Sequence, residues 1–260
     1  MTNQLKVALL QTNTVWEKRK QNRKRLSQKI DEIQQDFQLL VLPETFTTGF
    51  SMKPEGLAET MDGKTVQWMQ EIATEKQSAI TGSLIIEEDG NYYNRLLFIH
   101  PDGRIEYYNK RHLFSLAGED KVFTAGKEKL IVDYLGWKIS PMVCYDLRFP
   151  VWSRNTENID ILLYVANWPK PRILAWDTLL KARAIENMCY SIGVNRIGED
   201  PEQNEYIGNS AVYDVLGNAI SNIKSNREQT EVVILDKNHI TYYRNKLSFL
   251  NDRDDFNLVK

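Results

Sequence analysis

The chain predicts an α/β layered domain, and three observations carry that expectation. Strand-like and helix-like segments are interleaved along its whole length. Turn signals separate several strands that follow one another closely, as in a meander. No linker, low-complexity stretch or internal repeat divides the 260 residues, a length that one core can still organise. Residues 1–260 are therefore read as a single domain that ends in a C-terminal arm from about residue 237.

The elements follow in order. Leu5–Gln11 (LKVALLQ) reads as a buried strand, and FQLLVLPE as a second that stops at Pro43. Between them Leu26, Ile30, Ile33 and Phe37 recur at steps of four, three and four, which predicts an amphipathic helix. A second helix starts near Gly63 and runs to Gln77. The strands SAITGSLIIEE, NYYNRLLFIH and GRIEYYNK follow, with turns at EEDGN and PDG. After the irregular loop KRHLFSLAGEDKVFTAG, EKLIVDYLG and WKISPMV pair as a hairpin, and IDILLYVAN is a buried strand. Ile173 to Cys189 has good helix formers and no Gly or Pro; its apolar positions include Leu174, Leu179, Ile185 and Met188. YSIGVNRIG, YIGNSAVYDVLGNAI and TEVVILD are mostly strand, and the charged tail beyond Asp236 holds a short helix and an arm.

Composition narrows the function. Hydrophobic residues at 42% and charged residues at 26% describe an ordinary soluble protein, and a net charge of −2 favours neither nucleic acid nor an anionic membrane. The N-terminus lacks an apolar segment with a cleavage site, and no run approaches the roughly 18 apolar residues of a membrane span. A cytoplasmic protein with reduced thiols is expected. Two cysteines, Cys144 and Cys189, make neither a disulfide framework nor a four-thiolate zinc site, and with three histidines no metal is expected. Six of the eight residues from Lys18 to Arg25 are basic. They read as a solvated helix face, the rival being a nucleic-acid binder.

Chemistry centres on KISPMVCYDLRFP. Cys144 is either packing material or a nucleophile; Cys189, at a helix end, fits packing. YDLRFP after the strand changes direction, and a strand-turn-helix exposes a side chain beside free backbone N–H groups. Pro141 counts against a central strand, because it cannot donate to a ladder. A thiol with a pKa of about 8.5 needs a base or nearby positive charge. His112 in NKRHLF is the one histidine placed to serve, whereas His100 precedes a turn and His239 lies near the tail. Glu44 follows an apolar strand and a proline, where partial desolvation makes a carboxylate a base near neutrality. Lys110 likewise ends a strand. Each of these has an ordinary surface role as its alternative.

Taken in order, LPETFTTGF, NKRHLF and VCYDLRFP resemble the nitrilase superfamily of carbon–nitrogen hydrolases, over nearly the whole chain from VALLQTN to SAVYDVLGNAI. The resemblance implies Glu44 as general base, Lys110 as the oxyanion-stabilising cation and Cys144 as nucleophile, with the backbone N–H of Tyr145 completing the oxyanion hole. It implies a second glutamate after the lysine, matched by Glu119 with Asp120 as the competing placement. A four-layer α-β-β-α sandwich, subunits paired through helices as a homodimer or larger assembly, and no metal or organic cofactor follow from it. On this basis Lys110→Ala is expected nearly to silence turnover and to leave the fold intact.

The family's nitrilases continue Cys-Trp-Glu; Cys144-Tyr145-Asp146 points to amides instead. VCYDLRFPVWSRN and LYVANWPKPR look most like bacterial omega-amidases, which deamidate keto acids, chiefly 2-oxoglutaramate; carbamoyl and other small linear amides are the alternatives. A substrate carboxylate would meet Arg172 or Arg148, the latter also read as half of a structural ion pair, and Trp168 and Phe46 would wall a small pocket. Arg183, Glu186 and Asn187 match a recurrent family segment; Arg183 and Asn187, at i and i+4, are read as bracing scaffold. A peptidase-like Cys144–His112 hydrolase is the rival enzyme.

Overall fold

Alternation along single strands shows how the layers arise. On β1 (Gln4–Gln11), Leu5, Val7 and Leu9 join one apolar cluster while Ala8 and Leu10 join another. A strand buried on both faces needs cover on both. The computed structural model describes residues 3–258; of the expected arm, residues 259 and 260 lie outside the described residues. After β1 come α1 (Arg19–Asp31), β2 (Leu39–Val41), α2 (Lys64–Lys76), β3 (Ala79–Glu88), β4 (Asn91–Ile99) and β5 (Ile105–Asn109). Then follow β6 (Val132–Tyr134), β7 (Trp137–Val143), β8 (Ile161–Ala166), α3 (Ile173–Asn187) and β9 (Tyr190–Asn195). The chain closes with β10 (Ile197–Glu199), β11 (Glu205–Ile207), β12 (Ala211–Tyr213), β13 (Gln229–Asp236) and α4 (Lys237–Leu247).

Two sheets form, ordered β13-β1-β2-β3-β4-β5 and β12-β9-β8-β7-β6, with β10-β11 as a separate ribbon. β1-β2-β3 and β7-β8-β9 are parallel runs, the other pairings antiparallel. Leu39, Val41, Leu96 and Phe98 of the first sheet pack with Ile139, Leu163 and Val165 of the second. On the first sheet's other face, Leu26 and Ile30 of α1 and Val66, Met69 and Ile72 of α2 cover Ala8, Leu10, Leu40 and Leu42. Trp176, Leu180 and Ala184 bring α3 onto the second sheet. This is the α-β-β-α sandwich.

Several expectations need correction. α1 ends at Asp31, and Ile33 and Phe37 pack on the same cluster from the connection to β2. Their spacing persists because one apolar surface is served by helix and linker alike. On α3 the buried face is Trp176, Leu180, Arg183, Ala184 and Asn187, whereas Leu174 and Ile185 are 78% and 48% exposed. At 3.6 residues per turn the last two lie opposite Trp176. Pro141 fits because β6 pairs only with Trp137, Lys138 and Ile139, so β7 has one free edge at the proline. The basic run is only half solvated. Arg19 donates to the Leu57 and Ala58 carbonyls, Arg23 to Thr65 Oγ1 and Arg25 to Glu228, while Lys18, Lys20 and Lys24 are exposed. Among the described residues no helix is long and apolar enough to cross a membrane.

Candidate active site

The side chains of interest leave the C-terminal ends of strands in both sheets. Leu42 N–H still donates to Thr81 O, but Pro43 cannot extend the ladder, and Thr45 turns with φ 40° and its N–H on Ser83 Oγ at 2.8 Å. That turn directs Glu44 inward, where it is fully buried. Lys110 follows β5, with its N–H on Asn94 O at 3.0 Å and its carbonyl accepting from Gly126 N–H at 2.9 Å. A Cβ on Gly126 would stand 2.0 Å from Asn109 O, so only glycine permits this approach.

Cys144 opens a five-residue 3-10 turn, Cys144–Arg148, which takes the place of the helix in the expected strand-turn-helix. Its φ of 44° lies in the left-handed region, a strain of roughly 1–3 kcal/mol for a residue other than glycine. Asp146 holds the turn. Its carboxylate accepts Val143 N–H (3.0 Å), Tyr108 O–H (2.8 Å) and His112 N–H (3.0 Å), and lies 2.8 Å from His112 Nδ1. Arg183 braces the same turn by donating to Leu147 O at 2.6 Å, and Asn187 Nδ2 donates to Arg183 O.

Lys110 Nζ lies 3.0 Å from Glu44 Oε1 and 3.0 and 2.9 Å from the two Glu119 oxygens, and all three residues are buried. Asn94 Nδ2 donates to both carboxylates, at 2.8 Å to Glu44 and 3.2 Å to Glu119. Asn167 N–H donates to Glu44 Oε2 at 2.7 Å, and Phe114 N–H to Glu119 Oε2 at 2.6 Å. Asp120, beside Glu119, is exposed. Cys144 Sγ lies 3.9 Å from Asn167 O. Burial works against the Lys110 ammonium, but the Glu119 and Glu44 carboxylates outweigh it and raise its pKa above the usual lysine range. Burial raises Glu119, against the opposing Lys110 charge. Burial and then the Glu44 charge push the Cys144 thiol well above its ordinary value, so at rest it is protonated.

Glu44, Lys110 and Cys144 open on a cavity of about 390 Å³, with Glu119 behind Lys110 and outside the lining. Tyr145, Trp168, Arg148 and Arg172 line it. The Arg148 guanidinium lies 4.9 Å over the Trp168 ring and that of Arg172 5.1 Å over Phe114. Arg148 makes no ion pair among the described residues, contrary to its structural reading; aromatic stacking holds it instead. Phe46 is also displaced from its expected place. It is buried in the cluster under α2, 5.9 Å from the Trp68 ring, and Phe50 lines the cavity instead. The physical reason is the turn at Thr45–Gly49, which returns Phe46 to the sheet and sends Phe50 forward. His112 is outside the lining, held by Asp146 and stacked on Phe149 at 3.7 Å. Glu186 pairs with Arg183 at 2.8 Å.

Sequence reasoning missed Asn94, Asn167 and Tyr206, the last lining the cavity with its hydroxyl on Asp200 at 2.8 Å. A polar amide inside NYYNRLLFI and another where LYVAN stops were the available signals. Among the described residues no group of three or more His, Cys, Asp or Glu could hold a metal ion.

Residues 6–245 match the family model for carbon–nitrogen hydrolases. The chain is 41% identical over 257 residues to omega-amidase YafV of Yersinia enterocolitica, covering 98% of this chain and 99% of the other. It is 33% identical over 220 residues to 2-oxoglutaramate amidase of Bacillus subtilis, covering 83% and 85%. The crystal structure of XC1258 from Xanthomonas campestris, a CN-hydrolase superfamily protein with an arsenic adduct in its active site, superposes with a TM-score of 0.96. It is 41% identical and each chain is covered completely.

Proposed function

Because the chain belongs to the carbon–nitrogen hydrolase family, we propose that it is an omega-amidase, hydrolysing the terminal amide of a short keto-acid amide such as 2-oxoglutaramate. It is a hydrolase of non-peptide carbon–nitrogen bonds. The observation that carries the reading is a buried ammonium between two carboxylates beside a half-buried thiol, at the base of one small cavity.

In this reading Glu44 takes the thiol proton as Cys144 Sγ bonds to the amide carbon. A thiol raised so far above neutrality needs that transfer during attack, not before it. The Lys110 ammonium and Tyr145 N–H hold the oxyanion. The carbon–nitrogen bond breaks, Glu44 returns the proton to the departing ammonia, and a thioester remains. Glu44, assisted by Glu119, deprotonates a water that attacks the thioester; the acid departs and Glu44 reprotonates the sulfur. The reaction needs only amide and water. Arg148 and Arg172 receive the carboxylate at the substrate's far end, supported by their stacking and place on the cavity wall. We also propose a cytoplasmic homodimer paired through helices, for which exposed Leu174 and Ile185 on α3 supply apolar surface.

The Cys–His alternative is disfavoured by the capture of His112 by Asp146 outside the cavity. The nucleic-acid alternative is disfavoured by the ties of Arg19, Arg23 and Arg25. Ammonia release measured with 2-oxoglutaramate, 2-oxosuccinamate, glutamine, N-carbamoyl amino acids and a simple nitrile tests the proposal. The keto-acid amides should lead by kcat/KM, and Cys144→Ala should be silent. Preference for glutamine or the nitrile would reject this substrate class.

A further inference from the structure

Asn94 touches Glu44, Glu119 and Lys110 from a position the chemistry itself does not require. It lies on β4, buried at 1% exposure, and its own carbonyl accepts Lys110 N–H at 3.0 Å. Its Nδ2 reaches Glu44 Oε1 at 2.8 Å and Glu119 Oε1 at 3.2 Å. Its Oδ1 is buried without a hydrogen-bond partner. Both hydrogen bonds of the side chain are therefore made through its donor end, and the cost of the unpaired oxygen is carried by the fold. Those donated hydrogens are the only uncharged ones shared by the two carboxylates among the described residues.

We propose that Asn94 is a positioning residue that acts through Glu44: its shared donor fixes the base and the second glutamate in one register around Lys110. The proposal rests on the amidase reading of the site. The groups facing Asn94 Nδ2 come from three segments: Glu44 after β2, Lys110 after β5 and Glu119 in the following loop, with Cys144 beyond them after β7. Two carboxylates against one ammonium leave an excess negative charge. A neutral donor steadies that excess without adding a second cation that would compete for the oxyanion.

Two variants of similar volume separate this from a packing role. Asn94→Leu removes the donor; it should lower kcat about ten- to a hundred-fold with KM nearly unchanged, and move the acidic limb of the kcat/KM profile upward. Asn94→Asp keeps the shape and can donate only when protonated. Its activity should therefore fall as pH rises, giving a more acidic optimum than the parent enzyme. Circular dichroism and Tm show whether each variant folds; if the Leu variant does not, the Asp variant decides. Parent-like pH profiles in the folded variants, or kcat within about two-fold of the parent, would overturn the proposal. The pH dependence of Cys144 alkylation by iodoacetamide reads the same site with no amide present. Displaced curves for the variants support the role of Asn94 even if the substrate assignment fails, and superimposable curves refute it.

Discussion

Lys110 shows how chemistry and stability meet in one residue. Its ammonium is the charge partner of two carboxylates that are themselves fully buried. Breaking such a group by deleting one member leaves unpaired buried charge, at a cost of roughly 3–5 kcal/mol. The expectation that Lys110→Ala leaves the fold intact therefore does not survive the geometry. We predict a loss of about 10²–10³ in turnover or more, together with a marked fall in Tm. Glu44→Gln keeps shape and removes only the proposed base, so turnover should fall about 10²–10⁴-fold with a smaller change in Tm. His112→Ala should show the opposite balance, losing stability by about 1–3 kcal/mol through the lost Nδ1 contact with Asp146 while retaining chemistry. Measuring kcat and Tm across the three variants decides; abolished turnover in His112→Ala with an active Glu44→Gln would reverse the assignment.

Elements position these residues by ending in the right places. β2, β5 and β7 stop at Val41, Asn109 and Val143, and each is followed within three residues by a group of the site. The Lys110 segment is clamped from both sides, by Asn94 on β4 and by Gly126 on the returning loop. Gly126→Ala should force that loop off Asn109, since overpacking typically costs about 1–3 kcal/mol and no flexible side chain can yield here. We expect a lower Tm and a reduced kcat in the same variant, read by thermal melts and steady-state kinetics. An alanine variant with parental kcat would show that the clamp does not set the lysine's position.

Across the whole molecule, distant segments are tied by side chains such as Glu228, ahead of β13. It accepts from Lys29 at 2.8 Å and Arg25 at 3.1 Å on α1, and from Thr12 Oγ1 at 2.7 Å and Asn13 N–H at 2.9 Å beyond β1. Burial raises its pKa, but the hydrogen bonds from Lys29 and Thr12 outweigh this and bring it down to about 2. A depressed carboxylate stabilises the fold above its unfolded pKa and loses that contribution as pH falls toward the folded value. The window is therefore from about pH 4.5 down to about 2, and partial exposure limits the effect to roughly 1–2 kcal/mol. Melting curves over this range should fall less steeply for Glu228→Gln than for the parent, with the variant less stable near neutrality. Parallel curves would exclude Glu228 from acid unfolding.

Local pattern alone determined the interleaved strands and helices, the turns at EEDGN and PDG, and the contexts of Glu44, Lys110 and Cys144. Those signals rest on periodicity and on chain punctuation by Pro and Gly, which act over a few residues. Only the tertiary structure decided that Phe50 rather than Phe46 faces the cavity, and that Asp146 engages His112. It also decided which face of α3 is buried and brought Asn94 between two glutamates 50 and 25 residues away. Hydrogen bonds of that span leave no periodic trace, because their geometry exists only once the two sheets have closed on each other.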